Sequence, residues 1–353
     1  MRRRHFLSLP ALAPLLCDGE SASAPPPQTG PDHAPELAAA IDAIAPGTLK
    51  RASVILADGA TGLPRSRSFH YQNSATANDF WPASTIKLYS AIAAMEEVHA
   101  RGFPLDAHVL FEHQEKDGSW VTDCARTLRE MSSEVFRRSS NEDYTLHLRI
   151  PGIDQINSSL LIPERGFPHS ALMRGYVTAR PWVYHRSEPQ RITLIHKDRQ
   201  TSWTHAWSGK SWSRERGATV IDADTGNCTT TAALASCLHR LFFHDSLPEP
   251  ERFRITSEMA SFLLHGKDGL SGLQTTAKES GPYAWEGGHT HYPMARWFHK
   301  CGLISNHSLD LAAIDDRAHS GRTVFLCAMI QSGSEPLIRQ LCGTMIAWAR
   351  QQP

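Results

Sequence analysis

Strand-like segments lie near both ends of this chain, and they constrain its fold more than any other feature. Near the N-terminus, ASVILADGATG and the stretch around SRSFHYQN predict a strand pair with a turn at Asp58-Gly59. Three more strand-like runs follow near the C-terminus: ARWFHKCGLI, SLDLAAIDD and RTVFLCAMIQS. Because strands need neighbours to satisfy their backbone hydrogen bonds, we expect one antiparallel sheet built from both chain ends.

Helical periodicity dominates the region between these strands. The run STIKLYSAIAAMEEVHARG is apolar on one face and ends at a glycine, a common helix stop. Further helices are predicted at TLREMSSEVFRR, TTTAALASCLHRLFF and PERFRITSEMASFLL, and two flanking helices at HAPELAAAIDAIA and EPLIRQLCGTMIAWARQ. The segment 160–227 has little periodicity and is predicted to form loops and a short hairpin.

This order of elements predicts an α/β (α+β) fold with a single domain over residues 35–353. The sheet part covers about 35–80 and 285–353, and an all-helical subdomain of about 84–284 is inserted between its two halves. Lys and Arg total 36 in the 353 residues, equal to the 36 Asp and Glu, so no global charge draws the chain to nucleic acid or to an anionic membrane. We expect a monomer with no stable membrane anchor.

The N-terminus has the pattern of a targeting segment. Three arginines precede the weakly apolar run FLSLPALAPLL, which is too short to span a bilayer. Arg3-Arg4-His5-Phe6-Leu7 is similar to a twin-arginine export signal, and an ordinary secretory signal is the alternative. We predict an export signal over 1–24, a proline-rich linker over 25–34 and a periplasmic location.

A serine and a lysine stand one helical turn apart where the first long helix begins. In WPASTIKLY, Ser84 and Lys87 are three residues apart, so a helix brings both side chains to one face. A lysine whose pKa is lowered by burial can accept the proton of a serine and make it a nucleophile. A chain of this length contains about one Ser-x-x-Lys by chance, so the pair needs support from elsewhere.

Two further motifs give that support. Ser139-Ser140-Asn141 follows the first predicted helix after the Ser84 helix, and Lys300-Cys301-Gly302 lies in a strand near the C-terminus. Their order and spacing, together with Ser84-x-x-Lys87, resemble the S-x-x-K, S-D-N and K-T-G motifs of the penicillin-recognising serine hydrolases. The likeness is to the class A β-lactamases in particular and covers roughly residues 33–350.

The resemblance implies a role for each matching residue. Ser84 would form an acyl-enzyme with Lys87 as its proton acceptor, and Ser139 would pass a proton to the leaving nitrogen. Lys300 would bind a substrate carboxylate and help to keep Lys87 neutral. Substrate-binding roles fall on Asn141, Cys301, Gly302 and Leu303, the last through its backbone amide, which would form an oxyanion hole with that of Ser84.

The chain also departs from the family pattern. Cys301 replaces a hydroxyl that holds the substrate carboxylate, and a thiol is a weaker donor. The loop glutamate with which class A enzymes activate the deacylating water has no matching motif here. Two glutamates are candidates for that base: Glu188, because Arg186-Ser187-Glu188-Pro189 resembles the opening of the family's motif, and Glu215, because of its distance before Thr229. Neither carries the rest of the motif, and a solvated carboxylate is the alternative for each.

Three functions remain open on these residues. The first is an exported serine hydrolase that opens β-lactam rings, acting on a small molecule without a cofactor or metal. The second is a D,D-peptidase or esterase on the same scaffold, or a slowly deacylating penicillin-binding protein. The third is a non-catalytic module that binds peptidoglycan or β-lactams. Turnover of a chromogenic cephalosporin separates the first from the others.

Overall fold

A computed structural model of the protein describes residues 34–59, 61–219, 222, 224–275 and 289–353. The predicted export signal (1–24) and all but the last residue of the predicted linker (25–34) lie outside the described residues. Within the described residues, no helix is both long and apolar enough to cross a membrane.

The predicted sheet from both chain ends is confirmed. Six antiparallel strands lie side by side in the order β2-β1-β10-β9-β8-β7. Their bounds are β1 Lys50–Asp58, β2 Arg65–His70, β7 Gln274–Thr275, β8 Arg296–Ile304, β9 His307–Asp316 and β10 Arg322–Ile330. Strand β1 pairs with β10 along its whole length, so residues more than 250 positions apart form the centre of the sheet.

Both faces of this sheet are buried, which explains the continuous apolar runs in its central strands. Val54 and Leu56 of β1 pack into one apolar layer, and Ile55 and Ala57 pack into the other. Each fully buried Val, Leu or Ile contributes about 1.5–3 kcal/mol to folding. A strand with water on one face would instead alternate polar and apolar residues.

Helices cover the two faces. In the described part of the chain, the helices of eight residues or more are α1 Pro35–Asp42, α2 Lys87–Ala100, α3 Leu128–Arg137, α4 Asn141–Arg149, α5 Thr231–Phe242, α6 Ser257–His265 and α7 Glu335–Gln351. Helices α1 and α7 share one apolar layer with the sheet, as Leu37 and Ile346 show. Helices α2 and α5 pack on the opposite face together with the inserted part of the chain, and Ile92 and Leu238 belong to that second layer.

The inserted part is not all-helical, which corrects the prediction. It contains a second sheet of four antiparallel strands in the order β4-β3-β5-β6. These strands are β3 His108–Gln114, β4 Trp120–Thr127, β5 Gln190–His196 and β6 Arg199–His205. The outer strands β4 and β6 have no buried residue, so they lack the apolar alternation that reveals a strand in sequence. The predicted hairpin within 160–227 is the β5–β6 pair.

Candidate active site

Ser84 lies in a single 3₁₀ turn, Ala83–Ile86, that leads into α2. A 3₁₀ turn has three residues per turn, so its geometry favours one face for side chains three apart, such as those of Ser84 and Lys87. Ala83 has a φ of +46°, a left-handed conformation that costs a residue with a side chain about 1–2 kcal/mol. The hydroxyl of Tyr176 donates to the Ala83 carbonyl at 2.9 Å. This bond holds the strained residue that orients Ser84.

Lys87 is fully buried at the first position of α2. Its Nζ bonds to the Ser139 carbonyl, to Asn141 Oδ1 at 2.7 Å and to Ser139 Oγ at 3.1 Å. Among the described contacts, none joins Nζ to the Ser84 hydroxyl. Burial, together with the positive charge of Lys300, lowers the pKa of Lys87 from 10.5 to about 6. Lys87 is therefore mostly neutral at pH 7.

The partners of Lys87 determine where its lone pair points. A neutral amine has two N–H groups and one lone pair. The Ser139 carbonyl and Asn141 Oδ1 can only accept hydrogen bonds, so they take both hydrogens. The lone pair is left for a hydroxyl group, either that of Ser139 or that of Ser84. The environment of Lys87 thus fits a proton acceptor and not a surface cation.

Ser139 connects Lys87 with the strand that carries Lys300. Lys300 is almost fully buried, and its Nζ donates to Ser139 Oγ at 2.9 Å and to the Cys301 carbonyl at 3.0 Å. Burial lowers the pKa of Lys300. The Ser139 hydroxyl consequently lies between two amine nitrogens, one on α2 and one on β8. Such an oxygen can accept a proton from one side and donate its own to the other.

Strand β8 passes directly beside the Ser84 turn because residue 302 is glycine. A methyl group on Gly302 would lie 2.9 Å from the Ser84 nitrogen, closer than real Cβ contacts allow, and 3.0 Å from Ala83 Cβ, which is tighter than most. Leu303, the next residue, is 52% exposed. Strand β7 pairs with β8 only at Trp297 and Phe298, so the edge of β8 after these residues has no strand partner within the described chain.

Ser140, at the position of the aspartate in the S-D-N motif, has a structural role of its own. Ser140 is the N-cap of α4, and its Oγ accepts from the Asp143 nitrogen at 3.1 Å. Its hydroxyl donates to the Asp143 carboxylate at 2.6 Å. Serine and aspartate are equally good N-caps, so this substitution preserves the helix start that presents Asn141 to Lys87.

Sequence reasoning missed three residues beside Lys87. The rings of Tyr144 and Tyr176 lie with their centroids 5.7 Å and 5.9 Å from Lys87 Nζ. Asn227 holds them: its amide nitrogen donates to Tyr144 Oη at 3.0 Å and to Tyr176 Oη at 3.3 Å. Its Oδ1 accepts from the Met173 nitrogen at 2.7 Å. These contacts join segments far apart in sequence, so no local pattern reveals them.

The two candidate deacylation bases do not join the cluster. Glu188 pairs with Arg180 at 2.5 Å, and Glu215 pairs with Lys210 at 2.9 Å. Among the described hydrogen bonds and ion pairs, neither carboxylate contacts Ser84 or Lys87. Cys301 is half-buried, and burial raises its pKa. The structure therefore brings together Ser84, Lys87, Ser139, Asn141 and the strand Lys300–Leu303, and leaves Glu188 and Glu215 with other partners.

Comparisons with known proteins give matches in structure. No family model matches the chain, and no curated protein matches it in sequence. The β-lactamase of Sphaerobacter thermophilus has a TM-score of 0.55 and 18% identity, over 90% of this chain and 98% of its own. PBP-A has a TM-score of 0.55 and 13% identity over 91% and 98%. The class A β-lactamase of Mycobacterium abscessus has a TM-score of 0.52 and 14% identity over 89% and 97%. The chain therefore has the fold shared by class A β-lactamases and PBP-A.

Proposed function

We propose that this protein is a serine hydrolase that forms an acyl-enzyme on Ser84, with β-lactams as its substrates. The observation that carries the proposal is the Ser139 hydroxyl, which lies 3.1 Å from Lys87 Nζ and 2.9 Å from Lys300 Nζ beside the strand that passes the Ser84 turn. A capping serine and a solvated lysine would need neither the burial of both amines nor this shared hydroxyl.

Acylation follows from the protonation states. Neutral Lys87 accepts the Ser84 proton while Ser84 Oγ attacks the carbonyl carbon of the lactam amide. The tetrahedral intermediate collapses when the C–N bond breaks. The leaving nitrogen then takes a proton from the Ser139 hydroxyl, which recovers one from the Lys87 ammonium. Lys87 returns to its neutral form, and the acyl group stays on Ser84 as an ester.

The substrate's charges would be met by β8 and by backbone amides. The amides of Ser84 and Leu303 form the proposed oxyanion hole, where the loss of one donor typically reduces the rate about a hundredfold or more. Lys300 supplies the positive charge for a carboxylate, Gly302 leaves the strand edge open, and the Asn141 amide binds the substrate's side-chain amide. Cys301 offers only a weak donor, so carboxylate binding depends mainly on charge.

A second candidate, a slowly deacylating penicillin-binding protein or D,D-peptidase, is favoured by one observation. Two tyrosines, Tyr144 and Tyr176, stand beside Lys87, and within the described residues no carboxylate bonds to Lys87 or Ser84. A phenol whose pKa burial raises, as in both tyrosines, is a poor base at neutral pH. We propose that the ester on Ser84 forms faster than water removes it. An esterase would share the same acyl-enzyme.

The test is intact mass spectrometry during exposure to benzylpenicillin. Wild type is expected to gain one covalent adduct, and Ser84→Ala none. Ser158→Ala, which changes an exposed serine that bonds only to the Asp154 carbonyl, is the matched control and should label like wild type. Adduct on Ser84→Ala, or neither adduct on wild type nor turnover of benzylpenicillin by it, would refute the acyl-enzyme and leave a non-catalytic binding module as the alternative.

The persistence of the adduct separates the candidates that share Ser84. Rapid loss of the adduct with turnover of a chromogenic cephalosporin identifies a β-lactamase. An adduct that remains for hours, with release of D-alanine from a peptide or of alcohol from an ester, identifies the second candidate.

We also propose that residues 1–24 direct export to the periplasm, by the twin-arginine route. The support is the sequence Arg3-Arg4-His5-Phe6-Leu7 with the apolar run behind it. The same mass measurement, made on protein from the periplasm, tests this. A mature chain that lacks about the first 24 residues is expected, whereas full-length protein confined to the cytoplasm would contradict export.

A further inference from the structure

A cleft of about 780 Å³ lies at the β2 edge of the six-stranded sheet, whereas the Ser84 cluster lies beside β8. Strand β2 forms one wall and helix α5 the other, and the loops around Pro168 and Pro248 close the ends. Ligand sites usually measure about 300–1,000 Å³ and combine apolar walls with a few polar groups. The cleft has the size of such a site, and the proposed reaction makes no use of it.

Much of the wall is apolar. Its apolar residues are Ile55, Leu63, Pro64, Ala75, Pro168, Ala232, Ala233, Leu247 and Pro248. Leu63 is 52% exposed to solvent. An isoleucine, a second leucine and three prolines line the same cleft. Contiguous exposed apolar surface in a concave site is a mark of ligand binding. These walls suit an alkyl chain.

The charged groups of the cleft have an excess of positive charge. The residues that line the cleft include two arginines, Arg65 and Arg240, and one glutamate, Glu251. Arg240 donates to the Arg165 carbonyl at 2.6 Å and to the Glu251 carbonyl at 3.0 Å, and it makes no ion pair with a described carboxylate. Arg65 makes no side-chain hydrogen bond or ion pair among the described residues. An anionic group would complement this charge.

A neutral polar pair lies between the apolar walls. Ser66 Oγ on β2 and His239 Nε2 on α5 are 2.9 Å apart. The His239 ring packs against Phe243 and Phe325, with centroids 5.2 Å and 5.1 Å away. Burial lowers the pKa of His239 to about 4, so the ring is uncharged at pH 7. The pair can hydrogen-bond to a ligand without cancelling the charge of the arginines.

We propose that this cleft binds a carboxylate with an unbranched alkyl chain, the chain along the apolar walls and the carboxylate near Arg65 and Arg240. The proposal stands on a site distinct from the Ser84 cluster and does not depend on the proposed hydrolysis. A neutral alcohol of equal chain length would contact the same apolar walls but would not supply an anion for the guanidinium groups.

The experiment is calorimetric titration of the full protein with decanoate and with 1-decanol. Decanoate is expected to bind saturably at one site and 1-decanol at least fivefold more weakly. Arg65→Gln should weaken the affinity for decanoate by about two- to fivefold, which is the range expected for a solvent-exposed charge pair. Lys116→Gln removes the same charge from an exposed turn of the second sheet and should leave binding unchanged.

Cleft-filling variants locate the site. Ala232→Phe on α5 and Ser68→Phe on β2 each place a ring in the cleft from opposite walls and should reduce decanoate affinity more than tenfold. Two variants are used so that the test still stands if one of them fails to fold. Lys300→Gln should bind decanoate like wild type, because its charge belongs to the Ser84 cluster. Absence of saturable binding, equal affinity for 1-decanol, or loss of binding in Lys300→Gln would overturn the proposal.

Discussion

At the scale of the residue, Lys87 is the group whose chemistry depends most on its surroundings. Its pKa falls from 10.5 to about 6 because burial disfavours the ammonium form and Lys300 adds a like charge. Between these two pH values the unfolded chain carries the proton and the folded chain does not. The stability contributed by Lys87 therefore falls as pH is lowered from 10.5 to 6 and is constant below that.

Lys87→Met is expected to stabilise the protein while it removes acylation. At pH 7 the variant should unfold with a free energy about 1–4 kcal/mol higher than wild type, because a buried ionisable group is replaced by an apolar one. The difference should shrink as pH approaches 10. Urea denaturation at pH 7 and 9.5 measures it, with Lys116→Met as the exposed control. If wild type and Lys87→Met had the same free energy of unfolding at both pH values, Lys87 would not be a buried, neutral amine in the folded protein.

The acylation rate should follow the same pKa. Only the neutral amine accepts the Ser84 proton, so wild type at pH 5 is expected to react with benzylpenicillin at about a tenth of its rate at pH 8. Stopped-flow measurement of adduct formation against pH gives the profile. A rate that is flat from pH 5 to 8 would remove Lys87 from the proton path.

At the scale of the element, the start of α4 explains why serine stands in place of aspartate at position 140. Asp143 is buried, pairs with Arg126 at 3.0 Å and accepts the Ser140 hydroxyl. Burial raises the pKa of Asp143. An aspartate at 140 would keep the cap but would place a second negative charge against Asp143 and remove the donated hydrogen.

Ser140→Asp is therefore expected to destabilise the protein by about 1–3 kcal/mol, since a buried acceptor loses its donor, although it creates the sequence S-D-N. Ser140→Thr keeps the hydroxyl and should stay near wild type, whereas Ser140→Ala loses the same donor and about 1 kcal/mol more with the cap. Thermal unfolding of the three variants ranks them. If Ser140→Asp were as stable as wild type, the buried Asp143 would not be the reason why serine is favoured over aspartate at position 140.

At the scale of the whole molecule, the candidate site lies where the sheet meets the inserted part. Ser84 and Lys87 stand at the start of α2, Ser139 stands between α3 and α4, and Lys300 comes from β8. Gly302 is the point of closest approach, since an added methyl group would meet the Ser84 nitrogen at 2.9 Å. Any change that separates the two parts there moves Lys300 away from Ser139.

Gly302→Ala is accordingly expected to reduce acylation by benzylpenicillin more than tenfold and to lower stability by about 1–3 kcal/mol through overpacking. Leu303→Ala, on the next residue, keeps the backbone amide and trims only an exposed side chain, so its acylation should stay within twofold of wild type. Adduct formation by mass spectrometry and urea denaturation check both. Full activity in Gly302→Ala would mean that the contact between β8 and the Ser84 turn is not needed.

Local patterns in the sequence were enough to predict the central strands of the large sheet, its flanking helices and the Ser84-x-x-Lys87 pair. Burial on two faces gives β1 and β10 continuous apolar runs, and α2, which is buried over most of its surface, is apolar at most positions. The same patterns failed for β4, since an edge strand in contact with water carries little apolar signal.

Only the tertiary structure decided the chemistry of the site. The pKa of Lys87, the position of Ser139 between two amines and the network of Asn227 with Tyr144 and Tyr176 all depend on groups 50 or more residues away from Lys87. It also paired Glu188 and Glu215 with other cations. Periodicity records which face of an element is buried, whereas a pKa or a proton path depends on which distant charges and hydroxyls share that buried space.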